Sequence, residues 1–275
     1  MQALSVEHIS FSYPHHPGKG AFALRDVSFD VNEGEFFSIL GPNGSGKTTL
    51  LRIIDRILLP GSGTIRVFEQ DQATLSRKEL ARRIGFVPQE HPLVFPFTVR
   101  EVVLMGRTPH LSGLGFESPH DNEVADAAMR LTDVDYLADK PLTELSGGER
   151  QRAFTARALA QEPDILLLDE PNTHLDLAHQ LDILHLTRSA STERRLTVIA
   201  VFHDLNLAAL FSRRILLLAN GSIAALGTPD EVLTQNHLST VFRTKVIVDR
   251  HPFVDVPRVT VIPSTDAAPS MAPRK

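Results

Sequence analysis

The sequence predicts an α/β fold: a mostly parallel sheet as core, an antiparallel β-subdomain at the N-terminus, and an inserted α-helical subdomain. Three observations carry this. Short apolar runs alternate with stretches of helical spacing, as parallel strands with crossover helices require. A glycine-rich loop, Gly41-Pro42-Asn43-Gly44-Ser45-Gly46-Lys47-Thr48-Thr49, lies between one such run and one such helix. From about residue 90 to 155 the strand signals vanish and helical segments dominate.

Taken in order, residues 4–13 and 25–31 alternate apolar and polar side chains, the period of half-buried strands. Residues 35–40 form an apolar run that stops at Gly41. Beyond the loop, Leu50, Ile53, Ile54, Ile57 and Leu58 fall at helical spacing, so a helix is expected from near Lys47 to just before Pro60-Gly61. Residues 64–68 read as a strand, and 84–88 as a short one ending before Gln89. Ser76-Arg77-Lys78-Glu79 is a capping box that opens a short helix, and Thr98-Val99-Arg100-Glu101 opens another. The insert continues with helices at 99–106, 121–131 and from Ser146 onward, with a loop rich in Gly, Ser and Pro at 108–119. Strands at 164–168, 196–202 and 213–219 follow, with helices after Asp176 and His203. The Val-rich residues 244–249 and 257–263 are expected to pair as a hairpin. The chain thus divides into a main domain over 1–240, a β extension over 241–263, and a small, polar, Pro-containing tail over 264–275 expected to be disordered.

Composition narrows the function. Hydrophobic content of 42% and charged content of 22% are ordinary for a globular protein. No apolar run approaches the ~18 residues of a membrane span, and the N-terminal residues lack the basic and apolar regions of a signal peptide. The absence of cysteine excludes disulfides and thiolate metal sites and agrees with a cytosolic home. A net charge of −5 without a basic run weighs against a nucleic-acid partner.

Gly41 to Thr48 matches G-x-x-x-x-G-K-T with a strand before it and a helix after it, which separates it from a glycine turn with a chance lysine. Backbone N–H groups of such a loop, with the helix dipole, cradle phosphate. Lys47 is then placed for the β- and γ-phosphates and the Thr48 hydroxyl for Mg²⁺, giving a P-loop NTPase core. Ile165-Leu166-Leu167-Leu168-Asp169-Glu170 is an apolar strand ending in two carboxylates. Alone it reads equally as a solvated strand end; with the glycine loop upstream, Asp169 fits the Mg²⁺ shell and Glu170 the general base. His203 follows a core strand and fits a γ-phosphate contact that holds the attacking water in line, although a lone histidine among 12 is more often structural. Gln89, at the border of the insert, fits either a γ-phosphate or Mg²⁺ sensor or an ordinary loop glutamine. His174, His179 and His185 are a poor metal triad, since their spacings miss the i, i+4 pairing of a helix face.

A second glycine signal, Leu145-Ser146-Gly147-Gly148-Glu149-Arg150-Gln151-Arg152, lies about a hundred residues beyond the first. By itself it reads as a Ser N-cap with a flexible turn; its unsatisfied N–H groups also suit an anion. One nucleotide needs one cradle, so two unlike half-sites suggest an ATP site completed by a second subunit.

Together these residues resemble the ATP-binding subunit of an ABC transporter, over about residues 4–233. The motifs stand in the family's order: an aromatic A-loop at Tyr13, Walker A at Gly41, Pro42, Asn43, Gly44, Ser45, Gly46, Lys47, Thr48 and Thr49, a Q-loop at Gln89, the signature from Leu145 to Gln151, Walker B ending in Asp169 and Glu170, a D-loop at Asn172-Thr173-His174-Leu175-Asp176, and a switch histidine at His203. Walker A alone marks many families, whereas the signature in this order is specific. The resemblance implies that Tyr13 stacks on adenine. It also implies a head-to-tail dimer in which Ser146, Gly147 and Gly148, with Glu149, close on the γ-phosphate held by the other subunit, with Asp176 at the same interface. Phe95-Pro96-Phe97-Thr98-Val99-Arg100-Glu101, Gly106-Arg107-Thr108-Pro109-His110 and His203-Asp204-Leu205-Asn206-Leu207-Ala208 look more narrowly like the importers of iron-siderophore, haem and cobalamin chelates. Asn172 where Thr is commoner, and Phe154-Thr155 after the signature, depart from the pattern without removing a catalytic group.

The resemblance implies an ATPase, using ATP and Mg²⁺, that powers a separate permease from the cytoplasmic face of the inner membrane, with a second copy of itself and, indirectly, an external binding protein as partners. Molybdate import is the alternative substrate. A DNA-repair ATPase would need a long coiled coil, a translation ATPase two cassettes in one chain, and a P-loop kinase no signature.

Overall fold

A computed structural model describes residues 1–13, 23–89, 95–111, 115–171 and 177–263. The chain runs β1 (Gln2–Ser12), β2 (Ala23–Asn32), β3 (Phe36–Leu40), α1 (Lys47–Ile54), β4 (Ser62–Val67), β5 (Gln70–Asp71), α2 (Arg77–Arg83) and β6 (Ile84–Val87). It continues through α3 (Val99–Met105), α4 (Pro119–Leu131), α5 (Gly147–Ala160), β7 (Ile165–Asp169), α6 (Leu177–Arg194), β8 (Thr197–Val201), α7 (Leu205–Phe211), β9 (Arg214–Ala219) and β10 (Ser222–Gly227). It closes with α8 (Pro229–Val232), α9 (Gln235–Phe242), β11 (Val246–Arg250) and β12 (Pro257–Val261).

Two sheets dominate. An antiparallel sheet has the order β2-β1-β4-β5, and a six-stranded sheet the order β10-β9-β3-β8-β7-β6. In the larger sheet every pairing is parallel except that of β10 with β9. Its central strands are apolar at nearly every position because both faces are covered. Phe37 and Ile39 of β3, Ile165 and Leu167 of β7, Ile199 and Val201 of β8, and Leu216 and Leu218 of β9 share one core with α1 and the antiparallel sheet. The intervening Phe36, Leu40, Leu166, Leu168, Val198, Ala200, Ile215 and Leu217 belong to a second core with α7, α9 and the β11–β12 hairpin.

Helices α3, α4 and α5 gather around a third core that includes Val99, Val103, Ala125, Met129, Leu145 and Phe154. Capping boxes start all three, at Thr98, Ser118 and Ser146, and another starts α2 at Ser76. A buried cation fastens the chain just after α3. Arg107, 2% exposed, donates from Nε to Asp121 (2.9 Å) and from Nη1 to the Ala160 carbonyl and Glu162 (each 2.7 Å). Hydrogen bonds from Ser118, and then from Arg107, hold the Asp121 carboxyl well below the usual carboxylate range. A Cβ on Gly106 would lie 2.1 Å from the Arg157 carbonyl oxygen, so glycine lets α3 close on α5.

Two local expectations change. The helix after the glycine loop ends at Ile54, not before Pro60. Arg56 there adopts φ 54 and donates to the carbonyls of Gln72 (2.7 Å) and Leu75 (2.6 Å), which leaves Ile57 53% exposed despite its helical spacing. The sequence reading also lacked β10, whose alternating residues are only half-buried. The C-terminal hairpin forms as expected, antiparallel with Val248 opposite Val259.

Asp55 caps the C-terminal end of α1. Burial pushes its carboxyl up from 3.8 to about 7, opposed by Arg157 and Arg77. Between those values the folded chain holds a proton that the unfolded chain has released, so stability falls as pH rises through the window. Asp55→Asn should therefore stabilise the chain at pH 8 by up to about 4 kcal/mol, and by little at pH 4. Thermal midpoints at the two pH values check this; an equal difference at both would contradict it.

Candidate active site

Four adjacent parallel strands end along one edge of the large sheet. Their register aligns Ile39 and Asp169 with Val201, and Val87 with Leu168. β3 therefore delivers Gly41, β8 His203, β7 Asp169 and Glu170, and β6 Gln89 to neighbouring positions, at the carboxyl ends where such sheets bind ligands. A cleft of about 400 Å³ at this edge is lined by Tyr13, Asn43, Gly44, Gly46, Lys47, Thr48, Thr49, Gln89, Glu170 and His203.

The glycine loop is pressed against β9. Gly41 has φ 151, and a Cβ there would sit 2.2 Å from the Leu218 carbonyl oxygen and 2.7 Å from Ser45 Oγ. Gly46 caps α1 at φ 109 without any side-chain hydrogen bond. The first N–H groups of α1, together with its dipole, are thus left for an anion. Buried Ser45 donates its N–H to the Pro42 carbonyl (3.1 Å) and accepts from the N–H of Gly221 (3.1 Å). Asn220 and Gly221, at φ 50 and 78, turn β9 into β10 and brace the loop. The sequence reading missed this brace, although an Asn-Gly pair is the hairpin signal that could have revealed it.

The side chains around the loop are polar and closely coupled. Lys47 Nζ donates to the carbonyls of Gly41 (2.9 Å) and Pro42 (3.3 Å). Burial draws its ammonium below the usual value, and Glu170 and Asp169 oppose that. The Thr48 hydroxyl donates to Asp169 (3.1 Å). Asp169 is 1% exposed, and burial pushes its carboxyl up to about 6, with the Thr48 hydrogen bond opposing and Glu170 adding. Glu170 stands at φ 53. His203 Nε2 lies 2.5 Å from Glu170 Oε1, and the Gln89 amide donates to Oε2. The Tyr13 hydroxyl is 3.3 Å from Thr49 Oγ1, and its ring rests edge-on against Phe11.

Hard oxygen donors at Thr48 and Asp169, facing each other beside Lys47, suit Mg²⁺ shared with phosphate oxygens. Among the described residues no group of three His, Cys, Asp or Glu side chains could hold a metal alone. His185 packs edge-on against Phe211.

The second glycine signal lies outside the cleft. Ser146 and Gly147 are exposed, with Gly148 and Glu149 half-buried, at the start of α5. The Glu149 carboxylate accepts from the Ser146 N–H (2.8 Å) and hydroxyl (2.7 Å), which holds it below its ordinary value. Within one chain the two signals do not meet. Asp176, the rest of residues 172–176 and His174 among them lie outside the described residues.

A glycine cradle on one strand, a carboxylate pair two strands away and a histidine on the strand between them define a P-loop NTPase. The chain belongs to the ABC transporter family, whose description matches residues 24–173. It is 40% identical over 249 residues to the cobalamin import ATP-binding protein BtuD of Halobacterium salinarum, covering 90% of this chain and 62% of that protein. It is 37% identical over 256 residues to the ferric enterobactin transport ATP-binding protein FepC of Escherichia coli, covering 93% of this chain and 94% of that one. The solved structure of a metal-chelate type ABC transporter in an inward-facing conformation superposes with a TM-score of 0.83 at 31% identity, covering 96% of this chain and 99% of that chain. Among the described residues no helix is long and apolar enough to cross a membrane.

Because no Cβ fits at Gly41, Gly41→Ala should lower the thermal midpoint and weaken binding of a fluorescent ATP analogue at least about tenfold. Unchanged affinity would show that the loop accommodates the methyl group.

Proposed function

We propose that this chain is the ATP-hydrolysing subunit of an importer for metal chelates of the iron-siderophore, haem or cobalamin type. The observation that carries the hydrolytic part is the convergence of Lys47, Glu170, His203 and Gln89 on one cleft. In this reading the loop N–H groups and Lys47 bind the β- and γ-phosphates, and the Tyr13 ring takes the adenine. Thr48 and Asp169 hold Mg²⁺, with Gln89 near it; the ion supplies charge neutralisation at the phosphates. Glu170 takes the proton of the attacking water as general base. His203 contacts the γ-phosphate and keeps the water in line.

Two copies join head to tail. Ser146, Gly147, Gly148 and Glu149 of one complete the site on the other, with Asp176 at the same interface. The exposure of the α5 N-terminus outside its own chain's cleft supports this arrangement. The reading assigns residues 1–240 to the ATP-binding domain, with the helical part at about 90–155, and 241–263 to a β extension. A separate permease docks near residues 90–110, where Phe95, Phe97 and Met105 are exposed. The chain then acts peripherally at the cytoplasmic face of the cell membrane, and an external binding protein selects the cargo. The names of its relatives, cobalamin and ferric enterobactin importers, support the substrate class.

Glu170→Gln should lower steady-state hydrolysis at least about 100-fold while leaving ATP affinity within about twofold. Near-normal turnover would remove Glu170 from the role of base. Gly147→Asp should leave ATP binding by the monomer intact yet block nucleotide-induced dimerisation, read by light scattering. If its affinity fell as far as that of Lys47→Ala, the shared-site reading would be wrong.

A further inference from the structure

Resting on the hydrolytic role given to His203, we infer that Asn206 is a positioning residue for that histidine, acting by clamping the following helix onto the C-terminal hairpin. His203 sits between two fastened neighbours. On the strand side, buried Phe202 donates its N–H to the Ile39 carbonyl (3.2 Å), which ties the end of β8 to β3. On the helix side, Asp204 caps α7 by accepting from the N–H groups of Asn206 (2.8 Å) and Leu207 (3.1 Å). Any shift of the first turn of α7 therefore passes through Asp204 to His203.

α7 has only 7 residues, too few to be rigid by itself. Its buried side chains, Leu207, Ala208, Ala209 and Phe211, hold it against the sheet. Asn206 supplies a second hold. Its Nδ2 donates to the Val259 carbonyl (3.2 Å), and its Oδ1 accepts from the Val259 N–H (2.7 Å). One side-chain amide thus occupies the outer edge of β12 as the peptide of a neighbouring strand would, satisfying both main-chain groups. Alanine offers neither bond, and aspartate keeps only the acceptor. The hairpin is itself anchored, since Val246 and Val259 are buried in the core beneath it.

The consequence is chemical. His203 Nε2 stands 2.5 Å from Glu170, and displacements on the order of 1 Å at a reacting centre cost about 100-fold in rate. A helix held at one face only would allow the imidazole such a displacement. The clamp makes the C-terminal hairpin, remote in sequence from every motif, part of the hydrolytic geometry.

The test uses the full chain, with steady-state ATP hydrolysis, affinity for a fluorescent ATP analogue and thermal midpoint as readouts. Asn206→Ala should lower kcat about tenfold with ATP affinity within about twofold of wild type. Val259→Pro removes the same N–H from the hairpin side, where an edge strand tolerates proline, and should reproduce the loss without touching α7. Asn206→Asp should fall between Asn206→Ala and wild type. Combined with His203→Ala, Asn206→Ala should cost nothing further, because both act through one group. Unchanged kcat, parallel loss of nucleotide affinity, failure of all three variants to fold, or a full additional loss in the His203→Ala background would each overturn the inference. Normal hydrolysis by His203→Ala alone would instead overturn the role assigned to that histidine.

Discussion

Hydrogen bonding between β8 and its two parallel neighbours is the interaction on which the site depends. β8 lies between the strand that enters the glycine loop and the strand that ends in the carboxylates, and its register fixes both. A slip of one residue would turn every side chain of the slipped strand to the opposite face. Here both faces are packed, with alternate residues of β3, β7, β8 and β9 divided between two separate cores. Register is therefore set from above and below, and the alignment of the strand tips follows from hydrophobic packing.

The charges at those tips are held under tension. Lys47 and Asp169 are both nearly buried, and burial moves the two in opposite directions, each toward its neutral form. Lys47 uses its donors on two carbonyls of its own loop. Neutral carbonyls are weaker partners for an ammonium than charged oxygens. A polyphosphate would give Lys47 a stronger partner, and a divalent cation would do the same for Asp169.

Much of this was legible in the sequence, because the signals were local. The glycine loop, the apolar runs before Gly41 and Asp169, and the capping boxes at Ser76 and Thr98 each place their element within a residue or two. What escaped depended on contacts between distant segments. Ile57 leaves the helix because Arg56 reaches carbonyls of Gln72 and Leu75. The brace of Gly221 on Ser45 joins segments far apart in the chain. Asn206 stood within a motif noticed for its likeness, but nothing local connects it to Val259. The separation of Ser146 from the cleft has the same character: the sequence suggests two half-sites, and only the fold shows that the second one does not line its own chain's cleft.

Arg107 bears on mechanics. It joins the end of α3, the start of α4 and the end of α5 through one guanidinium; His110, from the same stretch, adds a tie to the Gln161 carbonyl, and Arg82 of α2 donates to the Pro109 carbonyl. Breaking a buried pair of this kind costs about 3–5 kcal/mol, well above thermal energy. The three helices are therefore cross-linked through a single buried group, so losing that one guanidinium would release three chain segments at once.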